Sequence, residues 1–381
     1  MDYDAIIVGA GPAGASAAYW LGEAGRRALV LEKAHLPRYK ACGGGVPKAV
    51  FARFPFDFSP VVEREISQVR FRYADGREVT AALPDRPAAM VMRERFDLHI
   101  LSHARAEVRD GSSLATIQED ATGVDVVTRA GETYRAPYLI GADGANSRVA
   151  RLAGLRAGRK LGLAVEAEAP ATDHLLDEYA QTMLFLFGTP PMGYQWIFPK
   201  AEHLSVGAGA LAKRTGDLRP ALEQEMAKLG ICVAEAPLRG HALPIYVRHE
   251  SLQRGRVLLA GDAAGLVDPL LGEGIRHAVD SGRLAAQAVL AGDVDRYSQR
   301  VHRQIGDNLL WGLQMARAFY HHPWGCFELG VRNPLFLQEF VALFAGWTSY
   351  RRMVTHALPY VLRGVGKRMP IQCAASNPQE G

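Results

Sequence analysis

At the start of the chain, the pattern of apolar and polar residues is first that of a strand, then that of a helix, and then again that of a strand. Residues 3–8 form a short apolar run rich in β-branched side chains, which predicts a buried strand. A glycine-rich turn follows at 9–14, and residues 15–25 have the composition of a helix. Residues 28–31 predict a second buried strand, which Glu32 closes. The pattern therefore predicts a βαβ unit.

The turn in this unit has the spacing Gly9-x-Gly11-x-x-Gly14. Gly9 permits the tight turn, Gly11 lets the backbone approach a pyrophosphate, and Gly14 lets the helix pack closely on the strand. A pyrophosphate is favoured at the helix N-terminus, where unpaired N–H groups point outward. Glu32 lies at about the expected distance of roughly 20 residues from the glycines and is a candidate acceptor for ribose hydroxyls. The unit predicts an adenine dinucleotide.

Later segments alternate between strand and helix patterns. The predicted strands are a hairpin over 66–79 turning at Asp75-Gly76, a meander over 115–135, buried strands at 138–142 and 256–260, and several strands within 162–211. The predicted helices cover 93–105, 217–229 and 274–291, and from residue 297 onward the pattern is helical with Pro and Gly interruptions.

A second cofactor signal follows the predicted strand 256–260. Ligands of parallel sheets bind beyond the carboxyl ends of the strands. Asp262 is therefore placed to accept a hydrogen bond from a ribityl hydroxyl of a bound cofactor, or to cap a helix. The segment 269–275 then leads into another helix. The N–H groups around Gly274 and Ile275 are candidates to hold the electron-rich edge of a flavin.

The segment 37–45 narrows the chemistry. Cys42 is followed by three glycines just past the second strand, where the isoalloxazine end of a flavin is expected. Bare backbone favours close approach of a planar ligand. The alternative is that Cys42 serves as a small buried hydrophobe.

Composition sets the broad class. The 381 residues are 48% hydrophobic and 22% charged, which is ordinary for a globular protein. A net charge of +4, with no basic run interleaved with aromatics, argues against nucleic-acid binding. Cys42, Cys232, Cys326 and Cys373 are widely spaced, which predicts a reducing compartment and no metal site. Without a signal-peptide pattern or an apolar run long enough to span a bilayer, the expected location is the cytoplasm.

Several motifs carry a resemblance to known proteins. The fingerprint with Glu32, then Asp143-Gly144 and Gly261-Asp262, together resemble the FAD-dependent glutathione-reductase-like superfamily, in the branch that includes aromatic hydroxylases. Two narrower motifs, in order along the chain, are similar to those of the geranylgeranyl reductase family. They are Pro37-x-x-Lys40-x-Cys42-Gly43-Gly44 and Tyr194-x-Trp196-x-Phe198-Pro199 followed by Gly207-x-Gly209. Arg93-x-x-Phe96-Asp97 matches a superfamily motif whose arginine contacts FAD.

The resemblance implies an activity and a set of site residues. The family reduces isolated double bonds of polyprenyl chains with hydride from reduced flavin N5 plus a proton. Tyr194, Trp196 and Phe198 alternate along one strand and share a face, which predicts either an aromatic wall for a prenyl chain or a core stripe. The candidate catalytic residues are Cys42, Tyr194 and Trp196, with bound water, Tyr194 or the thiol as proton donor. The expected cofactor-binding residues are Gly9, Gly11, Ala13, Gly14, Glu32, Ala41, Cys42, Gly44, Arg93, Asp262, Gly274 and Ile275.

The predicted fold is α/β, α+β overall. A Rossmann-type FAD-binding domain (1–62, 93–160 and 250–295) is split by an inserted antiparallel-sheet substrate domain (63–92 and 161–249). A helical C-terminal region (296–373) and a disordered tail (374–381) follow.

Electron donor and partners stay open at this stage. Gly207-x-Gly209 lacks a third glycine, so no second nucleotide-binding unit is predicted, and electrons come from NAD(P)H visiting transiently or from a ferredoxin-like donor. Lys40 is a candidate partner for a cofactor phosphate or a substrate diphosphate, or a solvated side chain. The apolar segment 335–347, followed by basic residues Arg351, Arg352, Arg363, Lys367 and Arg368, fits a helix packed on the protein or a peripheral membrane contact.

Three other functions compete. An FAD-dependent monooxygenase of a small aromatic or lipid-like substrate shares the fold but does not require the Cys42 or Trp196 motifs. A flavin halogenase is disfavoured because its W-x-W-x-I-P signature is missing. A flavin- or lipid-binding carrier without activity is the non-enzymatic alternative.

Overall fold

The computed structural model describes residues 2–156, 160–211, 217–331 and 333–362. The strands are, in chain order, β1 (Ala5–Val8), β2 (Ala28–Leu31), β3 (Gly45–Pro47), β4 (Val62–Ile66), β5 (Gln68–Tyr73), β6 (Glu78–Ala82), β7 (Ala88–Val91), β8 (Glu107–Arg109), β9 (Leu114–Glu119), β10 (Val124–Thr128), β11 (Thr133–Ala136), β12 (Tyr138–Gly141), β13 (Lys160–Pro170), β14 (Thr182–Phe187), β15 (Gly193–Pro199), β16 (His203–Ala210), β17 (Arg239–Ile245), β18 (Gln253–Arg254) and β19 (Val257–Leu259). The α-helices are α1 (Pro12–Glu23), α2 (Arg93–Ser102), α3 (Arg148–Leu152), α4 (Asp173–Tyr179), α5 (Leu218–Lys228), α6 (Ile275–Ala291), α7 (Tyr297–Val301), α8 (Asp307–His321), α9 (Pro323–Cys326), α10 (Pro334–Phe344) and α11 (Tyr350–Leu362).

The first sheet carries the predicted βαβ unit. Its strand order is β18-β19-β12-β1-β2-β8, and all pairs are parallel except β18 with β19. Strands β1, β2 and β19 are buried at every position, as parallel strands covered on both faces are. Helices α1 and α6 pack against each other so closely that a Cβ on Gly282 would lie 2.1 Å from the Ala13 carbonyl oxygen. The N-terminal turn and the start of α6 therefore lie close together.

The second large sheet has the order β17-β13-β16-β15-β14-β5-β6. It is antiparallel except where β14 runs parallel to β5. One face packs on α5 through Leu218, Leu222 and Met226. The other face, which includes Phe185 and Trp196, packs against the C-terminal helices. Two three-stranded sheets, β11-β10-β9 and β3-β7-β4, complete the fold.

The predicted fold class is confirmed: a Rossmann-like unit, separate antiparallel sheets and C-terminal helices are all present. The Asp75-Gly76 hairpin, the three-stranded meander and the long helix α6 form where the patterns predict them. Strands β3, β4, β7, β8, β17 and β18 were not predicted. The predicted disordered tail, 374–381, lies outside the described residues, as do Arg363, Lys367 and Arg368.

The C-terminal helices are tied to the loop that precedes α6. Asp268 is fully buried and accepts hydrogen bonds from the amides of Leu270 and Leu271, both at 2.8 Å. The Tyr350 hydroxyl at the start of α11 lies 2.9 Å from both Asp268 oxygens. From α8, the Tyr320 hydroxyl donates to the Leu270 carbonyl at 2.8 Å. Two tyrosines thus hold this loop from the side of the helical region.

In the described part of the chain, none of the helices combines the length and the apolar character needed to cross a bilayer.

The Tyr350–Asp268 contact predicts a measurable loss of stability. Tyr350→Phe leaves the buried carboxylate with one donor fewer, so the free energy of unfolding in urea should fall by about 1–3 kcal/mol. The matched control is Tyr3→Phe, which removes an exposed hydrogen bond to Glu107 and should cost less than about 0.5 kcal/mol. Equal losses in the two variants would contradict the importance of the buried contact.

Candidate active site

A large cavity of about 910 Å³ is lined by residues of both main sheets. One end is lined by Gly9, Gly11 and Glu32, and the opposite end by Tyr320 and Phe344 of the C-terminal helices. This volume is at the upper end of typical ligand sites, which suits a large cofactor together with a second ligand.

The structure brings nearly all the sequence-predicted site residues to this cavity. Those lining it are Gly9, Gly11, Ala13, Glu32, Ala41, Cys42, Gly44, Arg93, Tyr194, Trp196, Asp262, Gly274 and Ile275. Gly14 does not line it. A Cβ on Gly14 would lie 1.8 Å from the Gly9 carbonyl oxygen, so this glycine serves the packing of α1 against the turn.

Glu32 braces the glycine-rich turn. It is buried, and its carboxylate accepts hydrogen bonds from the amides of Ala10 at 2.8 Å and Ala34 at 3.1 Å. Each carboxylate oxygen has two lone pairs, so acceptor capacity for a ribose hydroxyl is left.

Arg38 supplies the test of whether a dinucleotide fits. Its guanidinium lies 3.2 Å from Asp97 and 3.6 Å from Glu32, while its Nη1 is buried with no hydrogen-bond partner in the described structure. The same guanidinium is 3.5 Å from where a Cβ on Gly11 would stand. An unpartnered guanidinium N–H beside the bare backbone of the turn matches a phosphate oxygen. The residues present therefore fit FAD.

Asp262 faces a histidine and a lysine in the middle of the cavity. Its Oδ2 lies 3.6 Å from His241 Nε2, and Lys40 Nζ lies 2.6 Å from the same nitrogen. Burial pushes the pKa of Asp262 up, but the hydrogen bond with His241 and the charge of Lys40 outweigh it and lower the pKa. Burial, with the nearby Arg93 charge, lowers the pKa of Lys40 to about 8. The alternative role of Asp262 as a helix N-cap is wrong, because the N-cap residues of the short 3-10 helix Gly261–Ala264 and of α6 are Ala260 and Gly274.

Arg93 and Asp97 of the R-x-x-F-D motif form a buried ion pair at the start of α2, with 2.8 and 2.9 Å between nitrogens and oxygens. The Arg93 guanidinium also interacts with the Cys42 side chain. Asp143 of the Asp-Gly motif has a structural role here, because it accepts hydrogen bonds from the amides of Arg148 and Val149.

The aromatic residues of β15 share one face, as predicted. The ring centroids of Tyr194 and Trp196 are 6.1 Å apart, and those of Trp196 and Phe198 are 6.2 Å apart. A Cβ on Gly207 would lie 2.1 Å from Trp196 Cζ2, so the glycine on β16 makes room for the indole. This contact explains why the two halves of the motif occur together.

Tyr194 is bound to the loop before α6. Its hydroxyl donates to the Leu271 carbonyl, and burial raises its pKa. A smaller apolar cavity beyond it, between the sheet and helices α8 and α10, shares Phe185, Tyr194 and Leu270 with the large one. The apolar lining thus continues past the main cavity.

Sequence reasoning missed five polar residues at this site. Arg38, Glu166, His241 and Glu273 line the cavity, and Lys200 is buried against the Gly43 carbonyl of the Cys42 segment. Arg38 lies inside the Pro37 motif, Lys200 directly follows Pro199 and Glu273 directly precedes Gly274, so their positions are next to predicted residues. Glu166 and His241 reach the site through long-range packing. Burial raises the pKa of Glu273 to about 7, although Arg276 opposes the rise.

Comparisons with known proteins identify the cofactor-binding domain and the relatives of this chain. Residues 91–292 match the model of the FAD binding domain, and residues 7–58 match an NAD(P)-binding Rossmann-like domain. The chain is 32% identical over 339 residues to menaquinone reductase of Mycolicibacterium smegmatis, covering 82% of this chain and 83% of that protein. It is 30% identical over 351 residues to digeranylgeranylglycerophospholipid reductase 2 of Methanothermobacter thermautotrophicus, covering 83% and 88%.

The fold has a close counterpart among solved structures. A geranylgeranyl bacteriochlorophyll reductase-like protein from Thermoplasma acidophilum superposes with a TM-score of 0.76 at 21% identity, covering 95% of this chain and 98% of that one. With the motifs around Cys42 and Trp196, the FAD-binding match and relatives at this level of identity, the chain belongs to the geranylgeranyl reductase family of FAD-dependent oxidoreductases.

Proposed function

We propose that this protein reduces carbon–carbon double bonds of a polyprenyl chain. The observation that carries the proposal is the division of the cavity, which joins a polar dinucleotide end to an apolar aromatic end at Cys42. Relatives named for the reduction of geranylgeranyl groups support the substrate class. When bound, reduced FAD supplies the hydride for one carbon of the double bond.

The cofactor residues act in two groups. Gly9 and Gly11 at the N-terminus of α1, with Arg38, bind the pyrophosphate, while Glu32 accepts from the ribose. At the other end, Asp262 accepts from a ribityl hydroxyl, and the amides around Gly274 and Ile275 hold the flavin edge at the N-terminus of α6. Ala13, Ala41, Cys42, Gly44 and Arg93 complete the site.

The substrate residues orient the chain and exclude water. Trp196, Phe198 and Phe185 form the wall along which the reacting double bond lies, and the apolar lining continues toward α8 and α10 for the prenyl tail. An unactivated alkene has no carbonyl to polarise, so reaction depends on position and dryness rather than on electrophilic help.

A proton must reach the second carbon of the double bond. We assign it to the Cys42 thiol or to a water molecule beside it. The Gly44 amide lies 3.4 Å from Cys42 Sγ, and the positively charged side chains of Arg93 and Lys200 interact with the same side chain. Tyr194 already donates to Leu271, and its raised pKa makes it a poor acid, so it positions the wall.

Electrons come from NAD(P)H that binds transiently or from a ferredoxin-like protein. Within the described residues there is one Rossmann-type sheet, and its glycine-rich turn is assigned to FAD. The described residues therefore contain no second nucleotide-binding domain that could hold NAD(P)H. Anaerobic bleaching of the flavin absorbance by NADPH, NADH or reduced ferredoxin distinguishes the donors.

We also propose a peripheral contact of the C-terminal region with anionic membranes. Trp311, Trp324 and Trp347 have exposed fractions of 40, 54 and 52%, and Arg351 and Arg352 are exposed on α11. Tryptophan and arginine favour the membrane interface, and a lipid substrate has to enter the cavity from such a surface.

Loss of the Arg38 charge should weaken cofactor binding. Arg38→Met removes a charge-assisted hydrogen bond to phosphate, so the Kd for FAD should rise by about tenfold or more, measured by fluorescence titration of the FAD-free protein. Arg26→Met removes an exposed arginine paired with Asp4 and should leave the Kd unchanged. An unchanged Kd for a folded Arg38→Met protein would contradict this assignment.

Anaerobic turnover tests the reaction. The FAD-loaded protein, reduced with dithionite, should add two hydrogens for each double bond consumed in geranylgeranyl diphosphate or a geranylgeranyl lipid, as read by mass spectrometry. Trp196→Leu should lower kcat/KM by about tenfold or more because the bond is misplaced, and Val108→Ala, at an exposed apolar residue on β8 outside the cavity, should not. A product that forms only with oxygen and carries an added oxygen atom would establish the monooxygenase alternative.

Vesicle flotation tests the membrane contact. The protein should float with vesicles containing anionic lipid and much less with neutral ones, and a variant with Trp347→Ala and Arg352→Glu should lose this binding. Leu163→Ser changes an exposed apolar residue on β13 and should not affect it. Equal flotation of all three proteins would rule out the proposed surface.

A further inference from the structure

The loop that carries Cys42, residues 40–45, lies directly on strand β15. A Cβ on Gly43 would be 2.7 Å from Phe198 Cδ2 and 3.1 Å from Trp196 Nε1. A Cβ on Gly44 would be 2.1 Å from the Val91 carbonyl oxygen and 2.6 Å from Lys200 Nζ. The absence of side chains therefore serves the approach of this backbone to the aromatic strand. Its peptide groups are carried into the interior, where each needs a hydrogen-bond partner.

Lys200 supplies the donor from one side. Its side chain is 1% exposed, and Nζ lies 2.8 Å from the Gly43 carbonyl oxygen and 2.9 Å from that of Val91. Burial lowers the pKa of Lys200 to about 8, while the neighbouring Cys42 and Glu166 oppose the shift. The ammonium group thus joins the Cys42 loop to the residue at the end of β7, just before Arg93 and α2.

Glu166 supplies the acceptor from the other side. It is 4% exposed on β13, and its Oε2 accepts the Cys42 amide at 2.7 Å and the Tyr39 hydroxyl at 3.4 Å. Its Oε1 accepts the Ser205 hydroxyl at 3.0 Å. Burial raises the pKa of Glu166, and these hydrogen bonds with the Lys200 charge limit the rise.

The charged side chains of Glu166 and Lys200 bind backbone groups of the Cys42 loop rather than each other. In the described structure Glu166 accepts from the Cys42 amide and Lys200 donates to the Gly43 carbonyl, and no ion pair within 4 Å joins these two side chains. Burying two charges is costly, and a buried pair is frequently replaceable by apolar side chains without loss of stability. A role in fixing the geometry of the Cys42 loop therefore explains these two buried charges better than a contribution to stability does.

We propose that Glu166 and Lys200 are positioning residues that together hold the Cys42 loop in place, one binding the amide of Cys42 and the other the carbonyl of Gly43. The consequence of this positioning for catalysis rests on the proposed reductase function, in which Cys42 lies beside the reacting double bond. Removal of either side chain frees the loop from β15 and misplaces the thiol, while the rest of the cavity keeps its shape.

Hydrogen exchange of the peptide covering 40–45 tests the positioning directly, in the protein with and without FAD. Glu166→Ala and Lys200→Met should each speed exchange of this peptide by about tenfold or more. Glu166→Gln keeps a carbonyl oxygen for the Cys42 amide and should restore the native rate. The control is Glu225→Ala, a buried glutamate on α5 away from the cavity, which should leave this peptide unchanged.

Kinetics supply the second readout. For polyprenyl reduction, the Ala and Met variants should lower kcat about tenfold with KM unchanged, and Glu166→Gln should restore kcat. Native exchange rates at 40–45 in folded Glu166→Ala and Lys200→Met proteins, or no rescue by Gln, would overturn the proposal. If exchange responds as expected but no polyprenyl substrate is reduced, the positioning role stands and the proposed function falls.

Discussion

The architecture depends on one close contact, that of the bare backbone at Gly43 with the aromatic strand β15. This contact joins the dinucleotide-binding lobe to the second large sheet at the middle of the cavity. Because no side chain intervenes, the thiol of Cys42 lies where polar lining changes to aromatic lining. The chemistry proposed here needs that boundary, since a charged cofactor and a hydrocarbon chain have to meet within a few ångströms of each other.

The cavity is polar and apolar in separate regions, for a physical reason. Glu32, Arg38, Lys40, His241 and Asp262 line the part of the cavity proposed to hold FAD, whose hydroxyls and phosphates would satisfy them. Charges buried without such partners would be costly: burial lowers the pKa of Lys40 to about 8, whereas the His241 hydrogen bond and the Lys40 charge lower the pKa of Asp262. The other end is lined largely by aromatic and aliphatic side chains, among them Phe185, Trp196 and Phe344, which suits a substrate that offers no hydrogen bonds.

Local signals predicted much of the fold. The turn at Gly9, the Asp75-Gly76 hairpin and the alternation at Tyr194, Trp196 and Phe198 each depend on neighbours in sequence, so pattern was sufficient. Strand β17 was not predicted because it contains Gly240 and Pro244, which weaken a strand pattern. Both are tolerated at the sheet edge that this strand occupies.

The site was predicted less completely, because its polar residues act at a distance. Glu166 lies 124 positions from the Cys42 amide it binds, and Lys200 lies 157 positions from Gly43. Glu32 was expected to face a ribose, yet the structure shows it also bracing the turn through Ala10. No local spacing encodes such pairings; they follow from how the two sheets meet.

The hydroxyl of Tyr350 has a consequence for how such proteins diverge. The last helices close the apolar end of the cavity, and through Asp268 they also support the loop beside the cofactor. A lineage that exchanged these helices to admit a bulkier lipid would disturb the loop before α6 unless it retained a hydrogen-bond donor to Asp268. Engineered chimeras face the same requirement, so a transplanted tail should carry its own tyrosine, or the acid should be replaced along with it.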